Sequence, residues 1–395
     1  MDFILQGHEI NLKGANRGFF TTRLRANLER LLDGTGSKVG MRGMGVIVAA
    51  PDEAAVDVRQ RLERALGVQT IVAGQRVAPE AEAIAPVALA MIASQPGASF
   101  ALDVKRPDKA LALSSHEVAV HVGRYIEEKL GLPVDLRRPE RLCTIVLNRK
   151  GALVSRAPEF GPGGMPAGTA GRLLGLLSAG FDSPVAAYRL IRRGARVMLI
   201  HFYGTPLAGH ASSLGPAEEM ARQLTRYQLH TRLYLCPFEP VQRAVIAATP
   251  SAYRVLVYRR MMLRIAAALA EKIFAHGLVT GDSLAQVASQ TSLNLEAVSA
   301  ATRLPIYRPL IGDDKVAIQA EARRIGTFEI SAAASTGATD DCCSAFMPRT
   351  PALASSIGEL DDAEREFDFA PLIVSSLSAI ETRRYRLRGN TVELL

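Results

Sequence analysis

The stretch GRLLGLLSAGFDSPVAAYRLIRRGARVMLIHF, residues 171–202, decides how the chain is read. An apolar run ends in the small-residue turn Ser178-Ala179-Gly180-Phe181-Asp182-Ser183. Apolar residues at helical spacing follow, then a second apolar run. Two short apolar runs joined by a helix predict a βαβ unit with parallel strands covered on both faces. Ligands of such open sheets sit beyond the carboxyl ends of the strands, where this turn lies. Its serines and glycine let backbone amides approach an anion, and the following helix adds its positive end. Pro184 suits the first turn of that helix. The stretch has neither GxxxxGK(S/T) nor GxGxxG, so it is not the common P-loop or a dinucleotide fingerprint. An aspartate in a phosphate cradle repels the ligand unless a metal ion or a special geometry offsets it. Asp182 is therefore the informative residue; its plainer reading is a helix cap.

Outward from this unit the alternation continues. Strand 173–177, helix 183–193, strand 196–202, helix 216–230, strand 232–236, helix 254–276 and strand 278–280 predict a parallel sheet between helices. Upstream, 17–32, 54–66, 79–93 and 115–131 read as helices, and 39–50, 68–74, 99–106 and 143–156 as strands. No glycine-rich phosphate turn interrupts them, so this half reads as small α+β modules. The glycine- and proline-rich GPGGMPAGTAGR, residues 161–172, reads as the linker between the halves.

The chain has 395 residues, 48% of them hydrophobic, enough for two or three domains with their own cores. A net charge of +8 and a pI near 9.5 fit a polyanionic partner without requiring one. The four cysteines form no CxxC pair, which argues against zinc and iron–sulfur sites and for a reducing compartment. Cys143 and Cys236 lie in apolar runs and read as packing residues. The start MDFILQGHEINLKG is no signal peptide, and no run reaches the ~18 apolar residues of a spanning helix. The expectation is a soluble, cytoplasmic protein with no membrane partner.

LLSAGFDSPVA resembles the PP-loop of ATP pyrophosphatases, whose pattern is SGGxDS. Those enzymes split ATP between its α and β phosphates and adenylate a substrate carbonyl oxygen. Five further segments are similar to the tRNA 4-thiouridine synthetase (tRNA sulfurtransferase) family. They are HEINLKGANRGFF (8–20), DVKRPDKALALSSHEVAVHVG (103–123), TGDSLAQVASQTSLNL (280–295), RPLIGDDKVAI (308–318) and RRIGTFEIS (323–331). They lie in order over almost the whole chain. The resemblance implies an α/β protein with a ferredoxin-like domain (1–66), a THUMP RNA-binding domain (67–160), the linker 161–172 and a parallel-sheet PP-loop ATP pyrophosphatase domain (173–395). The implied activity replaces O4 of the uridine at tRNA position 8 with sulfur, using ATP and Mg²⁺. The implied partners are tRNA, a cysteine desulfurase as persulfide donor and a second copy of the chain. Sulfur supply for the thiamine thiazole is a further implied role.

By the same resemblance, Leu176 and Leu177 present backbone groups to the nucleotide. Ser178, Gly180, Asp182 and Ser183 form the pyrophosphate cradle, and Arg259, Gly281 and Gln290 complete the ATP site. Released pyrophosphate carries negative charge that amides, Arg259 and Mg²⁺ can oppose. Asp182 either handles Mg²⁺ or holds the in-line geometry, while the plainer place for Arg259 is a solvated helix face. Cys343, beside Cys342, is expected to carry the persulfide after a small-residue lead-in that suits a loop nucleophile. The alternative is two incidental thiols. Asp340 and Asp341 would raise a thiol pKa and Arg349 would lower it, and adjacent cysteines make a strained bridge. Lys13, Asn16, Arg17, Lys105, Arg106 and Lys109 are expected at tRNA, with Arg137 and Arg138 adding charge. Any one of these taken singly also fits an ordinary surface cation.

The sequence departs from the family pattern at Ala179, at Ala285 and at the N-terminal GHE, residues 7–9, where RYGE is usual. Ala179 replaces the first glycine of the turn, at a cost of about 1 kcal/mol or more if φ there is positive and nothing otherwise. Ala285 stands where SLGQ is usual. The sequence resembles the family form without a rhodanese domain, so sulfur is expected straight from a desulfurase persulfide. Two rival functions are a non-catalytic tRNA-binding relative with a disabled PP-loop, and a sulfur relay for thiamine alone.

Overall fold

The computed structural model describes residues 1–42, 45–106, 114–148, 151–204, 212–336, 352–365 and 368–395. It forms two units, Met1–Met165 and Pro166–Leu395. The first runs β1 (Asp2–Gln6), α1 (His8–Asn11), α2 (Arg17–Leu31), β2 (Lys38–Arg42), β3 (Gly45–Ala49), α3 (Ala55–Leu62) and β4 (Thr70–Val77). It continues α4 (Ala81–Ala93), β5 (Phe100–Lys105), α5 (Ser115–Leu130), β6 (Arg141–Asn148), β7 (Gly151–Arg156) and β8 (Glu159–Phe160).

These strands make one sheet in the order β2-β3-β1-β4-β7-β6-β5, with β8 also on β4. β4 joins the two modules, because Gly74 faces Asp2 of β1 on one side and Ser155 of β7 on the other. A Cβ at Gly74 would stand 2.9 Å from the Val154 carbonyl oxygen, so glycine permits this pairing. Ile84 and Ile92 of α4 and Val118, Val122 and Ile126 of α5 are buried with Phe100 and Ile145. α5 starts in a capping box, Ser114 with Glu117, and stops at Gly131 with φ 63. Residues 39–50 and 143–156, each read as a single strand, are the hairpins β2–β3 and β6–β7. The two strands of such a hairpin carry the same period-two pattern, so periodicity alone runs them together.

The second unit begins β9 (Arg172–Leu176), α6 (Asp182–Arg192), β10 (Arg196–Tyr203), α7 (Leu214–Gln228), β11 (His230–Pro237), α8 (Glu239–Ala248), α9 (Arg254–Lys272) and β12 (Leu278–Val279). It continues α10 (Ser292–Ser299), β13 (Ile306–Tyr307), α11 (Lys315–Ile325), α12 (Phe328–Thr336), α13 (Ile357–Ala363), α14 (Phe369–Ser378), β14 (Glu381–Arg388) and β15 (Thr391–Leu394). The strand order is β13-β12-β9-β10-β11-β14-β15. The strands from β13 to β11 are parallel, as the alternation predicts, and β14 and β15 add an antiparallel edge. Leu174, Ile200 and Cys236 pack with Val257, Met261 and Ile265 of α9 on one face. Alternate residues, such as Leu199 and Leu233, turn to the other face, where α6 and α7 lie.

The segment read as a linker is tied down over its length. The Gly161 and Gly163 amides donate to Gln69 and Val68 carbonyls in the first unit, at 3.0 and 2.8 Å. The Gly168, Thr169 and Ala170 amides all donate to the Gly194 carbonyl in the second, at 2.9, 2.8 and 2.9 Å. No described helix is long and apolar enough to cross a membrane.

Candidate active site

The turn after β9 is held by its own serines. The Ser178 amide donates to Ser183 Oγ (2.8 Å), the two hydroxyls meet at 3.2 Å, and the Gly180 amide donates to Ser178 Oγ (3.3 Å). Ala179 is buried and lies outside the left-handed region, so alanine there carries no backbone strain. Gly180 is not left-handed either. A Cβ on it would meet only Ser178 Oγ within 4 Å, at 3.5 Å, which leaves open space where a ligand can approach the backbone. Phe181, not Asp182, is the N-cap of α6, and no side chain caps that helix. Asp182 instead receives Lys315 Nζ at 2.9 Å on Oδ1 and Gln286 Nε2 at 3.0 Å on Oδ2. Lys315 also lies 5.3 Å from the Phe181 ring centre. The helix-cap reading of Asp182 thus fails, because its carboxylate points across to α11.

The loop after β12 lies directly on this turn. A Cβ on Gly281 would stand 2.7 Å from the Ser183 nitrogen and 2.9 Å from the Asp182 carbonyl carbon, an approach only glycine allows. Its neighbour Asp282 is buried and bracketed by two guanidiniums. Arg259 pairs with Oδ1, Arg308 Nε reaches Oδ2 at 3.1 Å, and the Thr280 hydroxyl donates to Oδ2 at 2.7 Å. Burial opposes ionisation of Asp282. The Arg259 charge, the Thr280 hydroxyl and Arg308 more than offset it and hold its carboxyl below the usual carboxylate range. Arg259 also donates to Ser289 O and Oγ at 3.0 and 3.1 Å, so it is a fixed element of the site and not a solvated helix face. Ala285 has φ 60, the strained left-handed region for a residue with a Cβ. Its amide donates to the Gln290 carbonyl at 2.9 Å, closing the turn that carries Gln290.

A cavity of about 470 Å³ opens between these loops. Leu176, Leu177, Ser178, Asp182, Ser183, Arg259, Gly281 and Gln290 all line it, so every one of these sequence-derived positions meets there. Gly180 sits in the turn itself. Sequence reading passed over four members of the site: His201, Lys315, Asp282 and Arg308. His201, buried at the end of β10, faces the Leu177 carbonyl through Nδ1 and the Ser213 hydroxyl through Nε2, both at 2.9 Å. The carbonyl can only accept, so Nδ1 carries a proton and donates to it. Lys315, Asp282 and Arg308 lie inside the quoted segments 280–295 and 308–318, the only signal they offered. Phe202, Val255, Leu256 and Met262 give the cavity an apolar wall. Gln290 Oε1 is buried without a hydrogen-bond partner among the described residues, and its Nε2 donates to Asp282 at 3.4 Å.

Among the described residues the positions expected at tRNA in the N-terminal unit fall into separate groups. Lys13, Asn16 and Arg17 follow β1, whereas Lys105 ends β5 and Arg106 follows it, and β4, β7 and β6 separate those strands. Lys13 is exposed, 5.5 Å from the Phe20 ring centre, and Lys105 pairs with Asp103 at 3.0 Å. Arg137 and Arg138 are exposed, their backbone amides held by Asp135. Lys109, Cys342, Cys343, Asp340, Asp341 and Arg349 lie outside the described residues. Cys143 and Cys236 are free and buried as expected, and burial pushes both thiols up to about 12.

Residues 168–369 match the family profile of the thiamine biosynthesis protein ThiI, 2–72 the ThiI ferredoxin-like domain and 80–156 the THUMP domain. The chain belongs to the ThiI family. It is 42% identical over 385 residues to a probable tRNA sulfurtransferase of Thermus thermophilus, covering 97% of this chain and 93% of that one. It is 37% identical over 379 residues to one of Nocardia farcinica, covering 94% and 91%. The crystal structure of a 4-thiouridine synthetase–RNA complex with bound ATP matches at a TM-score of 0.88 and 29% identity, over 97% of this chain and 99% of that one. The resemblance read from the motifs, and the domain types it implied, are borne out for this ThiI-family chain.

Three outcomes follow from this geometry. Asp282→Asn leaves two guanidiniums facing each other and is expected to lower stability by about 3–5 kcal/mol in urea titration. Because the folded pKa is depressed, the Asp282 contribution is complete above the unfolded value of about 3.9 and is lost as pH falls through the folded one. Ala285→Gly relieves the left-handed alanine and should raise stability by about 0.5–1 kcal/mol. Iodoacetamide at pH 8 should leave Cys143 and Cys236 unlabelled in the native protein and label both once urea unfolds it, as read by mass spectrometry.

Proposed function

We propose that this chain is an ATP-dependent tRNA-uridine 4-sulfurtransferase acting on the uridine at tRNA position 8 in the cytoplasm. The observation that carries the reading is the meeting of the PP-loop turn, Arg259, Gly281 and Gln290 in one cavity. A structural neighbour that binds ATP and RNA supports it. The apolar wall suits a purine, and the unpartnered Gln290 Oε1 is an acceptor for an exocyclic amine. The phosphates then extend over the serine-tied turn, where amides and the N-terminus of α6 oppose their charge. Lys315, about two-fifths exposed, can turn from Asp182 to a phosphate.

Mg²⁺ fits this site as a companion of ATP, since it keeps few protein ligands and takes substrate phosphates. Asp182 would hold it, and among the described residues no cluster of three or more His, Cys, Asp or Glu offers a protein-only site. Bound there, the ion adds positive charge against the departing pyrophosphate. Uridine O4 attacks the α-phosphorus and pyrophosphate leaves, giving the adenylated base. The terminal sulfur of a Cys343 persulfide, loaded by a cysteine desulfurase, attacks C4 and AMP departs. A second thiol, Cys342 or an external one, then attacks Cys343 Sγ and frees 4-thiouridine, leaving a disulfide. The desulfurase and a homodimeric assembly rest on the family resemblance alone.

The conformation of Ala179 favours this reading over a disabled PP-loop, because the turn does not require glycine there. The family description favours a second destination for the same persulfide sulfur, the thiamine thiazole. The test is pyrophosphate release from ATP and Mg²⁺ with unmodified tRNA. Release should require tRNA and fall by roughly 10²-fold or more in Asp182→Ala. Tight tRNA binding with no release from the unsubstituted protein would instead identify a non-catalytic tRNA binder.

A further inference from the structure

The second unit carries a set of cations outside the candidate site. Along β14, Tyr385 and Leu387 are buried toward α7, with the Arg222 guanidinium 4.9 Å from the Tyr385 ring centre. Arg384, Arg386 and Arg388 therefore stand on the opposite face, and all three are exposed. The antiparallel register with β11 sets Arg232 directly across from Arg384 and His230 across from Arg386. Like charges facing each other across a strand pair are destabilising. Yet Arg232, Arg384, Arg386 and Arg388 have no ion pair or side-chain hydrogen bond among the described residues. The carboxylate nearest in register is Glu393 of β15, opposite Arg386. Glu218 and Glu381 are taken by Arg383, on the face toward α7.

The hairpin that presents this face is well fixed. Gly389, with φ 57, takes the first position of the two-residue turn between Arg388 and Thr391. From α7, Arg222 donates to the Val392 carbonyl at 3.2 Å and Arg226 to the Asn390 carbonyl at 3.3 Å.

We infer that this arginine face, on β11 and β14, is a landing site for the phosphate backbone of RNA, carried by the catalytic unit in addition to the cations of the N-terminal unit. The inference rests on the proposed tRNA substrate. Same-face residues on a strand recur every ~6.7 Å, a spacing comparable with that of successive phosphates along a nucleic-acid strand. All four groups are guanidiniums, whose planar fork matches phosphate oxygens in pairs. On this face β14 and β15 present Thr382, the three arginines, Thr391 and Glu393, and the exposed Leu395 opposite Arg384 is a single apolar side chain beside them, whereas protein interfaces centre on an apolar, aromatic-rich patch. The face also lies toward the amino end of β11, with Arg232 ~17 Å along the strand from Pro237, whereas the cavity lies beyond the carboxyl ends of β9 and β10. It would therefore grip phosphates remote from the modified base and position the RNA without touching the chemistry.

The test is fluorescence anisotropy of labelled, unmodified tRNA against the full chain over a salt series. R232Q/R384Q/R386Q/R388Q should bind tRNA at least about tenfold more weakly, with the slope of log K against log salt reduced by about 2–3. ATP binding measured by calorimetry should be unchanged, which shows that the variant is folded; R384Q/R388Q should give a smaller loss in the same direction. Unchanged affinity and slope in the quadruple variant, with the unsubstituted chain binding tRNA, would overturn the inference and leave the proposed function standing. Unchanged affinity with sulfur transfer lost only when a desulfurase is the donor would also overturn it, and assign the face to an acidic protein. Failure of the unsubstituted chain to bind tRNA at low salt would remove the proposed function and the inference together.

Discussion

The geometry of the site depends on one buried carboxylate. Asp282 fastens Arg259 of α9 and Arg308 after β13 to the loop leaving β12. Three segments distant in sequence thereby share one charge cluster. A lone carboxylate buried this deeply would not stay ionised, and two guanidiniums without it would repel. The group holds only as a set, and its balance of two positive charges against one negative leaves a net positive charge at the cavity wall. Gly281, beside it, transmits that fixed position to the PP-loop turn, because its backbone touches Asp182 and Ser183. The turn is placed by a neighbour with its own electrostatic anchor as well as by its internal serine bonds.

Asp182 and Asp282 show two uses of the same side chain. Asp282 is 5% exposed with its oxygens occupied, so it is structural. Asp182 is 21% exposed and its cationic partner, Lys315, is 42% exposed. An ion pair open to water to that degree gives little stability, so its partners exchange at small cost. A pair of this kind can be separated by an incoming phosphate, with the lysine following the anion and the carboxylate freed for a cation. The difference in burial separates the residue that builds the pocket from the one that responds to ligand.

The βαβ series was legible because each buried strand is a short apolar run and each helix shows its own period. The cavity's residues were legible through motif resemblance, since their contacts join β9, α9 and the loop after β12 across long separations. The hairpins β2–β3 and β6–β7 were not separable, because the apolar alternation of one strand runs into the next. Lys315 and Arg308 carry no local sign of function; only the fold shows that one reaches Asp182 and the other Asp282. Ala285 illustrates a further limit. An alanine announces no left-handed backbone, and the strain is visible only in the turn it closes. The antiparallel edge was missed because RRYRLR, read alone, is a short charged run whose alternation gains meaning only beside β11.

That edge also bears on how the excess positive charge is distributed. In the N-terminal unit, Lys105 is paired with Asp103 and Lys13 is drawn over Phe20, so part of its charge is satisfied internally. On the β11–β14 face the guanidiniums lack such partners and two of them confront each other. A sheet edge needs only a few charges to discourage unwanted pairing, and alternating signs would serve that end without self-repulsion. Same-sign arginines held in fixed register make the free protein less stable and make a state with a bound polyanion correspondingly more favourable, because phosphates remove the repulsion as they bind. The rigid turn at Gly389 and the grip of α7 on the hairpin keep the arginines in place, so little ordering remains to be done at the encounter.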